Sequence, residues 1–143
     1  MKISTRGRYA TRMLLDLAQH MQSGFIALKD IAERQGISKK YLEQIIPLLR
    51  KAGILRTNRG FQGGYQLSKP PHEISIGEIL RVTEGSLAPV SCLEDDNMTC
   101  ARSAECPTLP VWEGLQRVIS EYLDGISLAD LLAQATHGDD YII

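Results

Sequence analysis

The sequence predicts a mainly α protein that carries one small β-hairpin. Three observations predict it. Two amphipathic segments, Leu28 to Gln35 and Lys39 to about Ala52, are separated only by Gly36-Ile37-Ser38. Two short runs, Ile54–Thr57 and Tyr65–Ser68, flank the tip Asn58-Arg59-Gly60-Phe61-Gln62-Gly63-Gly64. A long apolar-faced segment then runs from about residue 110 to 123. Helices joined by so short a turn and followed by a hairpin make a winged helix-turn-helix. The long segment adds a C-terminal helix.

Each element has a local reason. Tyr9, Met13, Leu14, Leu17, Ala18 and Met21 recur at helical spacing, which predicts a first helix from Thr5 to about Gln22. Leu28, Ile31 and Ala32 form the inward face of the second helix, and Gly36 suits the left-handed position that closes it. Ser38 caps the third helix, with Leu42, Ile45, Leu48 or Leu49, and Ala52 inward. Pro47 lies inside that helix and lacks a backbone donor, so a bend or an early end is expected. Asn and Gly residues suit the hairpin tip. Ser75-x-x-Glu78 opens a fourth helix through Ile76, Ile79, Leu80 and Val82, and Gly85 ends it. Residues 86–110 show no period and read as a long irregular loop, a kind that usually carries function. Val111, Trp112, Leu115, Val118, Ile119, Tyr122 and Leu123 make the broad apolar face of the long helix. Ser127-x-x-Asp130 opens a last helix through Leu131 and Leu132, and the tail after Thr136 is expected to be mobile.

Composition narrows the function. The chain is 43% hydrophobic and 23% charged, which is an ordinary globular balance. No apolar run approaches the ~20 residues that cross a bilayer. The N-terminus does not read as a signal peptide, so a cytoplasmic bacterial protein with no membrane partner is expected. A net charge of −1 hides a split: residues 1–69 hold 13 of the 16 Lys/Arg and only 4 of the 17 Asp/Glu. The front half is therefore basic and suited to a phosphate backbone, while the rear half is acidic.

Within the front half, the exposed face of the third helix carries Lys39, Lys40, Glu43 and Gln44, with Lys51 further along, and Tyr41 beside them is a further candidate for DNA contact. The N-terminal residues of such a helix reach base edges in the major groove. Gln44 can pair with adenine, and Lys40 can donate to guanine. Glu43 is repelled by phosphate unless a cytosine donor meets it, so it is expected to set sequence preference. Arg59 and Gly60 at the hairpin tip are expected to reach the minor groove or hold phosphate. Arg8, Arg6, Arg56 and Lys2 are further phosphate candidates, although an ordinary charged surface would also explain them.

Cys92, Cys100 and Cys106 cluster in the irregular loop with the pattern Cys-x7-Cys-x5-Cys. No Cys-x-x-Cys is present, so zinc knuckles and ribbons fit poorly. Thiolates of this kind select zinc, copper(I) or iron–sulfur clusters. A Ser/His/Asp set, a phosphate-binding loop and paired catalytic carboxylates are all missing. His20, His72 and His137 are scattered, so an enzyme is not expected.

At this point a resemblance enters. Met1 to Ala10, Ile37-Ser38 with Tyr41-Leu42-Glu43-Gln44, and Arg59-Gly60 with Gly63-Gly64-Tyr65 are similar to the Rrf2 family of winged regulators, and the likeness covers nearly the whole chain. The resemblance implies a homodimer joined through Val111, Leu115, Val118, Ile119 and Tyr122. It also implies a three-cysteine loop that holds an iron–sulfur cluster in the sensing members, 2Fe–2S in preference to 4Fe–4S. The histidine that completes that ligand set in some members is Leu109 here, and the aspartate used in others is Arg8. Neither can ligate iron. Glu94, Asp95, Asp96, Glu105, a distant His, a small thiol or water remain for the fourth position. The family divides the chain into a DNA-binding domain (1–85), a cluster loop (86–109), and a dimerisation helix with its tail (110–143).

The resulting reading is a repressor on a pseudo-palindromic double-stranded DNA operator, controlled by cluster occupancy and acting on iron–sulfur cluster assembly genes. The alternatives are a nitric-oxide or redox-sensing repressor of the same family and a cluster-free regulator of cysteine metabolism. An iron–sulfur carrier or enzyme subunit would leave the Lys39–Lys51 helix and the Arg59 hairpin unexplained.

Overall fold

Serine hydroxyls set most of the helix starts. A computed structural model describes residues 2–60, 63–94 and 102–137. Its helices are α1 (Thr5–Gln19), α2 (Leu28–Gln35), α3 (Lys39–Lys51), α4 (Ile76–Glu84), α5 (Leu109–Asp124) and α6 (Leu128–His137). The strands β1 (Leu55–Asn58) and β2 (Gly64–Leu67) lie between α3 and α4. Ser38 Oγ accepts from Tyr41 N–H at 3.1 Å, and Ser75 Oγ accepts from Glu78 N–H at 3.0 Å. Ser127 and Asp130 cap each other at 3.1 and 2.9 Å, satisfying two backbone donors at the start of α6. Gly36 closes α2 at φ 63°, in the left-handed region that favours glycine.

One core holds these helices together. Met13, Leu14 and Leu17 of α1, Ile31 of α2, and Leu42, Ile45 and Leu49 of α3 are buried in it with Ile54, Ile74, Ile79 and Leu128. Burying one such side chain stabilises the fold by roughly 1.5–3 kcal/mol. Leu128 reaches the core because the chain returns: Leu128 N–H donates to the Ile74 carbonyl at 2.9 Å, and Ile76 N–H to the Ile126 carbonyl at 2.8 Å. The start of α6 is thereby stitched beside the start of α4.

The hairpin is antiparallel, with Leu55 opposite Leu67 and Asn58 opposite Gly64. Ile26 extends it by a backbone bridge to Tyr65, with N–H···O distances of 2.9 and 2.8 Å. A Cβ on Gly64 would lie 2.5 Å from the Ile26 carbonyl oxygen, so only glycine admits this approach.

Several expectations need correction. The first helix stops at Gln19 and the chain turns through Met21–Ser23, which leaves Met21 exposed. Ala52 caps α3 at the surface, and the buried position beyond that helix belongs to Ile54. Leu49 faces inward, while Leu48 is half-buried. No early end follows Pro47, because α3 continues to Lys51. The bond that proline forgoes is to the carbonyl of Glu43 on the exposed face, where water can take its place. Both strands sit slightly off the expected runs, since Ile54 is buried ahead of β1 and Gly64 begins β2. Leu109 and Pro110 belong to α5, not to the preceding loop, and that loop contains tight turns at Ser91–Leu93 and Ser103–Glu105. Phe61, Gln62, Asp95, Asp96, Cys100 and the tail 138–143 lie outside the described residues.

Candidate nucleic-acid interface and cysteine segment

The apolar stripe Leu42, Ile45, Ile46 and Leu49 presses α3 onto the core, and this turns its opposite face outward. Lys39, Lys40, Glu43 and Gln44 are exposed on that face. A groove of about 430 Å³ runs between the first turns of α2 and α3 and the hairpin. Lys29, Lys39, Glu43, Thr57, Arg59 and Gly60 are among the residues that line it. The fold thus brings together helix and wing residues that the sequence separates. Lys29 was not anticipated as part of this surface. A signal for it existed: a cation in a helix's first turn opposes the helix dipole and calls for another explanation.

Tyr41 also has a partner within the chain. Half-buried, its ring meets Tyr9 of α1 edge-to-face at 5.4 Å, and the Arg12 guanidinium lies 5.3 Å from the Tyr9 ring centroid. Arg12 also donates to the side-chain and backbone oxygens of Gln35. This stack braces the start of α3 against α1. Arg8 is exposed beyond it, with Thr5 Oγ1 at 3.4 Å. Arg56 is partly committed to the wing, donating to Gln66 at 2.9 Å and lying over Phe25 at 5.9 Å.

Beneath the turn between α2 and α3 lies Asp16, a carboxylate only 1% exposed. Arg34 donates to both its oxygens, at 3.0 and 2.7 Å, and Gln35 donates at 2.9 Å. Burial pushes this carboxyl up, but the hydrogen bonds from Arg34 and Gln35, with the charge of Arg34, outweigh it and hold the pKa below its ordinary value. A buried charge without such partners would be costly. The network therefore ties the end of α2, where the turn begins, to α1.

Cys92 sits half-buried in the turn Ser91–Leu93, and Cys106 half-buried just before α5. Cys106 Sγ lies 3.4 Å from Thr108 Oγ1. Hydrogen bonds from the Thr108 side chain and backbone lower the Cys106 pKa and favour its thiolate, the form that binds metal. Gln116 of α5 donates to the Leu93 carbonyl at 3.4 Å and holds the segment against that helix. Glu94 and Glu105 are exposed, whereas Leu109 is buried. His20 engages the Asp16 carbonyl at 2.8 Å, and His72 lies 3.8 Å from Glu73. Among the described residues, no three His, Cys, Asp or Glu side chains are grouped so as to hold a metal ion. On α5, Val111, Trp112, Leu115, Val118 and Tyr122 are exposed, and Ile119 is half-buried.

A helix pair on a left-handed turn, a two-stranded wing and a basic groove between them define a winged helix-turn-helix DNA-binding protein of the transcription-regulator class. The chain belongs to the Rrf2 family, whose model, described as an iron-dependent transcriptional regulator, matches residues 3–134. It is 42% identical over 132 residues to the HTH-type transcriptional regulator IscR of Aliivibrio salmonicida, a match that covers 92% of this chain and 77% of that protein. Among solved structures, it is similar to T. potens IscR, with TM-score 0.73 and 44% identity over 94% of this chain and 88% of that one. It is also similar to CymR, the global cysteine regulator of B. subtilis, with TM-score 0.75 and 38% identity over 93% of this chain and 97% of that one. The chain is accordingly a transcriptional regulator and not an enzyme. Among the described residues, no helix is long and apolar enough to cross a membrane.

Proposed function

We propose that this regulator is a homodimeric repressor whose DNA affinity is set through Cys92, Cys100 and Cys106 by an iron–sulfur cluster, 2Fe–2S in preference to 4Fe–4S. Its proposed targets are genes of iron–sulfur cluster assembly. The observation that carries the reading is the placement of Cys106, poised toward its thiolate three residues ahead of α5, with Cys92 on the segment that links the DNA-reading half to that helix. The family description and the likeness to IscR support it. The donors suit the group: thiolates are the ligands that iron–sulfur clusters take. Such a cluster would supply a tie between the cysteines that oxidants can break.

The chain's own residues do the rest. Lys39, Lys40, Tyr41, Gln44, Arg59, Gly60 and Arg8 hold one half-site of a pseudo-palindromic duplex. Glu43 lines the groove beside Lys39 and Arg59 and penalises sites that offer it no donor. The apolar face of α5, through Val111, Leu115, Val118, Ile119 and Tyr122, meets the same face of a second copy. In this reading residues 1–85 read DNA, 86–109 sense, and 110–143 pair the subunits.

A second reading draws on Leu109, which is buried and cannot ligate, and on the likeness to CymR. It is a cluster-free regulator of cysteine metabolism. Anaerobic loading with iron and sulfide separates the two. An iron–sulfur absorbance and spin-resonance signal, lost in each of Cys92→Ala, Cys100→Ala and Cys106→Ala together with a change in operator affinity, is expected. A protein that stays colourless after loading favours the second reading. Signal loss with unchanged affinity sinks cluster control. In the same titrations, Glu43→Ala should flatten affinity differences across a site library, and an unchanged ranking ends the role given to Glu43.

A further inference from the structure

One carboxylate links the end of α4 to the start of α1. Glu84, the last residue of α4, accepts on a single oxygen from Ser4 N–H at 2.8 Å, Ser4 Oγ–H at 2.6 Å and Gly7 N–H at 3.0 Å. Ser4 is itself the cap of α1, since its Oγ accepts from Arg6 N–H at 3.2 Å. Glu84 therefore satisfies one free donor of α1, Gly7 N–H, together with the N–H and hydroxyl of its cap residue, 77 to 80 residues away in sequence. The contact is close: a Cβ on Gly7 would lie 2.5 Å from Glu84 Oε1 and 2.9 Å from Leu80 Cδ2.

Nothing local to α4 accounts for this residue. A negative charge in the last turn of a helix opposes the dipole, while the same charge at a helix start is favourable. The cation in that turn, Arg81, is drawn away by Asp124, to which it donates at 2.6 and 2.9 Å. Placement of an acid where α4 disfavours it and α1 needs it marks Glu84 as serving α1.

That end of α1 carries Arg6 and Arg8, both exposed. Immediately after Glu84, Gly85 at φ 83° turns the chain into the segment that bears Cys92. We infer that Glu84 is a positioning residue for DNA binding, fixing the start of α1 so that Arg6 and Arg8 meet phosphate, and so coupling that edge to the beginning of the cysteine segment. The inference rests on the DNA-binding reading above and adds a residue that never touches DNA.

The experiment is a salt titration of operator binding by the full-length protein. Each phosphate contact adds about one to the slope of log affinity against log salt. Glu84→Ala is expected to lower that slope by about one to two and to weaken binding about tenfold near 0.15 M salt, alike for all site sequences. Glu84→Gln keeps an acceptor for the same three donors and should recover at least half of the lost slope. Glu84→Ala combined with Arg6→Ala and Arg8→Ala should cost no more slope than the arginine changes alone. A variant that merely folds less well lowers the active fraction but leaves the slope unchanged, so thermal unfolding of the same samples separates the two effects. Should Glu84→Ala not fold, Ser4→Ala, which removes the hydroxyl link and the cap on Arg6 N–H but keeps both backbone donors to Glu84, is expected to lower the slope in the same direction. Wild-type protein that binds no duplex overturns this inference and the DNA-binding reading together. Wild-type binding with an unchanged slope in Glu84→Ala or Ser4→Ala, or full additivity with the arginine changes, overturns the inference alone.

Discussion

Helices α3 and α5 both carry a continuous apolar stripe, and the two stripes differ in what covers them. On α3, Leu42, Ile45 and Leu49 are at most 1% exposed, enclosed by α1, α2 and α4 of the same chain. On α5, Val118 is 62% and Tyr122 67% exposed. Spacing alone does not distinguish a stripe that completes a core from one that awaits a second molecule. The charge split follows the same line. The basic half turns its cations outward around a core that Ile74, Ile79 and Leu128 of the acidic half complete, whereas α5 leaves large hydrophobic side chains in water. Contiguous exposed apolar surface of this kind marks an interaction site. Helix α3 is therefore held by its own chain, and α5 depends on what it meets.

Substitutions can break or sharpen this contrast. The largest effect on the fold is expected at α3: Leu42→Ala should cost about 2–5 kcal/mol of unfolding free energy, because it leaves a cavity among packed helices. Chemical denaturation measures this, and a loss below about 1 kcal/mol would show that α3 is not anchored as described.

A smaller loss, about 1–3 kcal/mol, is expected for Asp16→Asn, which leaves the Arg34 and Gln35 donors with a weaker acceptor. The pH dependence has a definite sign. The folded pKa of Asp16 is depressed, so its contribution is complete above the unfolded value of about 3.9 and disappears as pH falls through the folded value. Wild-type stability should fall along that acid limb more steeply than that of Asp16→Asn. Parallel limbs would mean that the carboxylate contributes nothing through its charge.

The smallest effect on the fold is expected at α5. Val118→Glu should leave subunit unfolding within about 0.5 kcal/mol of wild type at low protein concentration, because the site is already in water. Self-association, read by sedimentation, should weaken at least about tenfold, the equivalent of about 1.4 kcal/mol. Unchanged association would remove α5 from the proposed dimer interface.

Much of this arrangement was legible in the sequence because its rules are local. Ser38, Ser75 and Ser127 announce helix starts within three residues of their partners, and Gly36 announces a turn by its backbone alone. The turn and the wing followed from such signals, and the long helix from the spacing of its apolar residues. Asp16 and Glu84 gave no such notice. Their partners lie 18 to 80 residues away, and an acid on a helix reads as a surface charge until the chain folds its donors around it. Met21 and Ala52 misled for the opposite reason: their spacing continued a helical stripe past the point where the backbone stopped. Of the candidate site, the groove residues Lys39, Glu43, Arg59 and Gly60 were legible individually, but Lys29 joined them only through the packing of α2 beside the wing.

The glycine at the base of the wing bears on the kind of duplex this protein can hold. With Gly64 packed against the Ile26 carbonyl and Tyr65 bonded to Ile26 on both sides, the hairpin is fastened to the connector ahead of α2 and cannot swing independently of α3. If both elements grip one half-site, the span between them behaves as a fixed gauge, and any misfit in groove width or bend must be absorbed by the nucleic acid. Stiff sequences would then be refused and pliant base steps accepted at positions no side chain reaches.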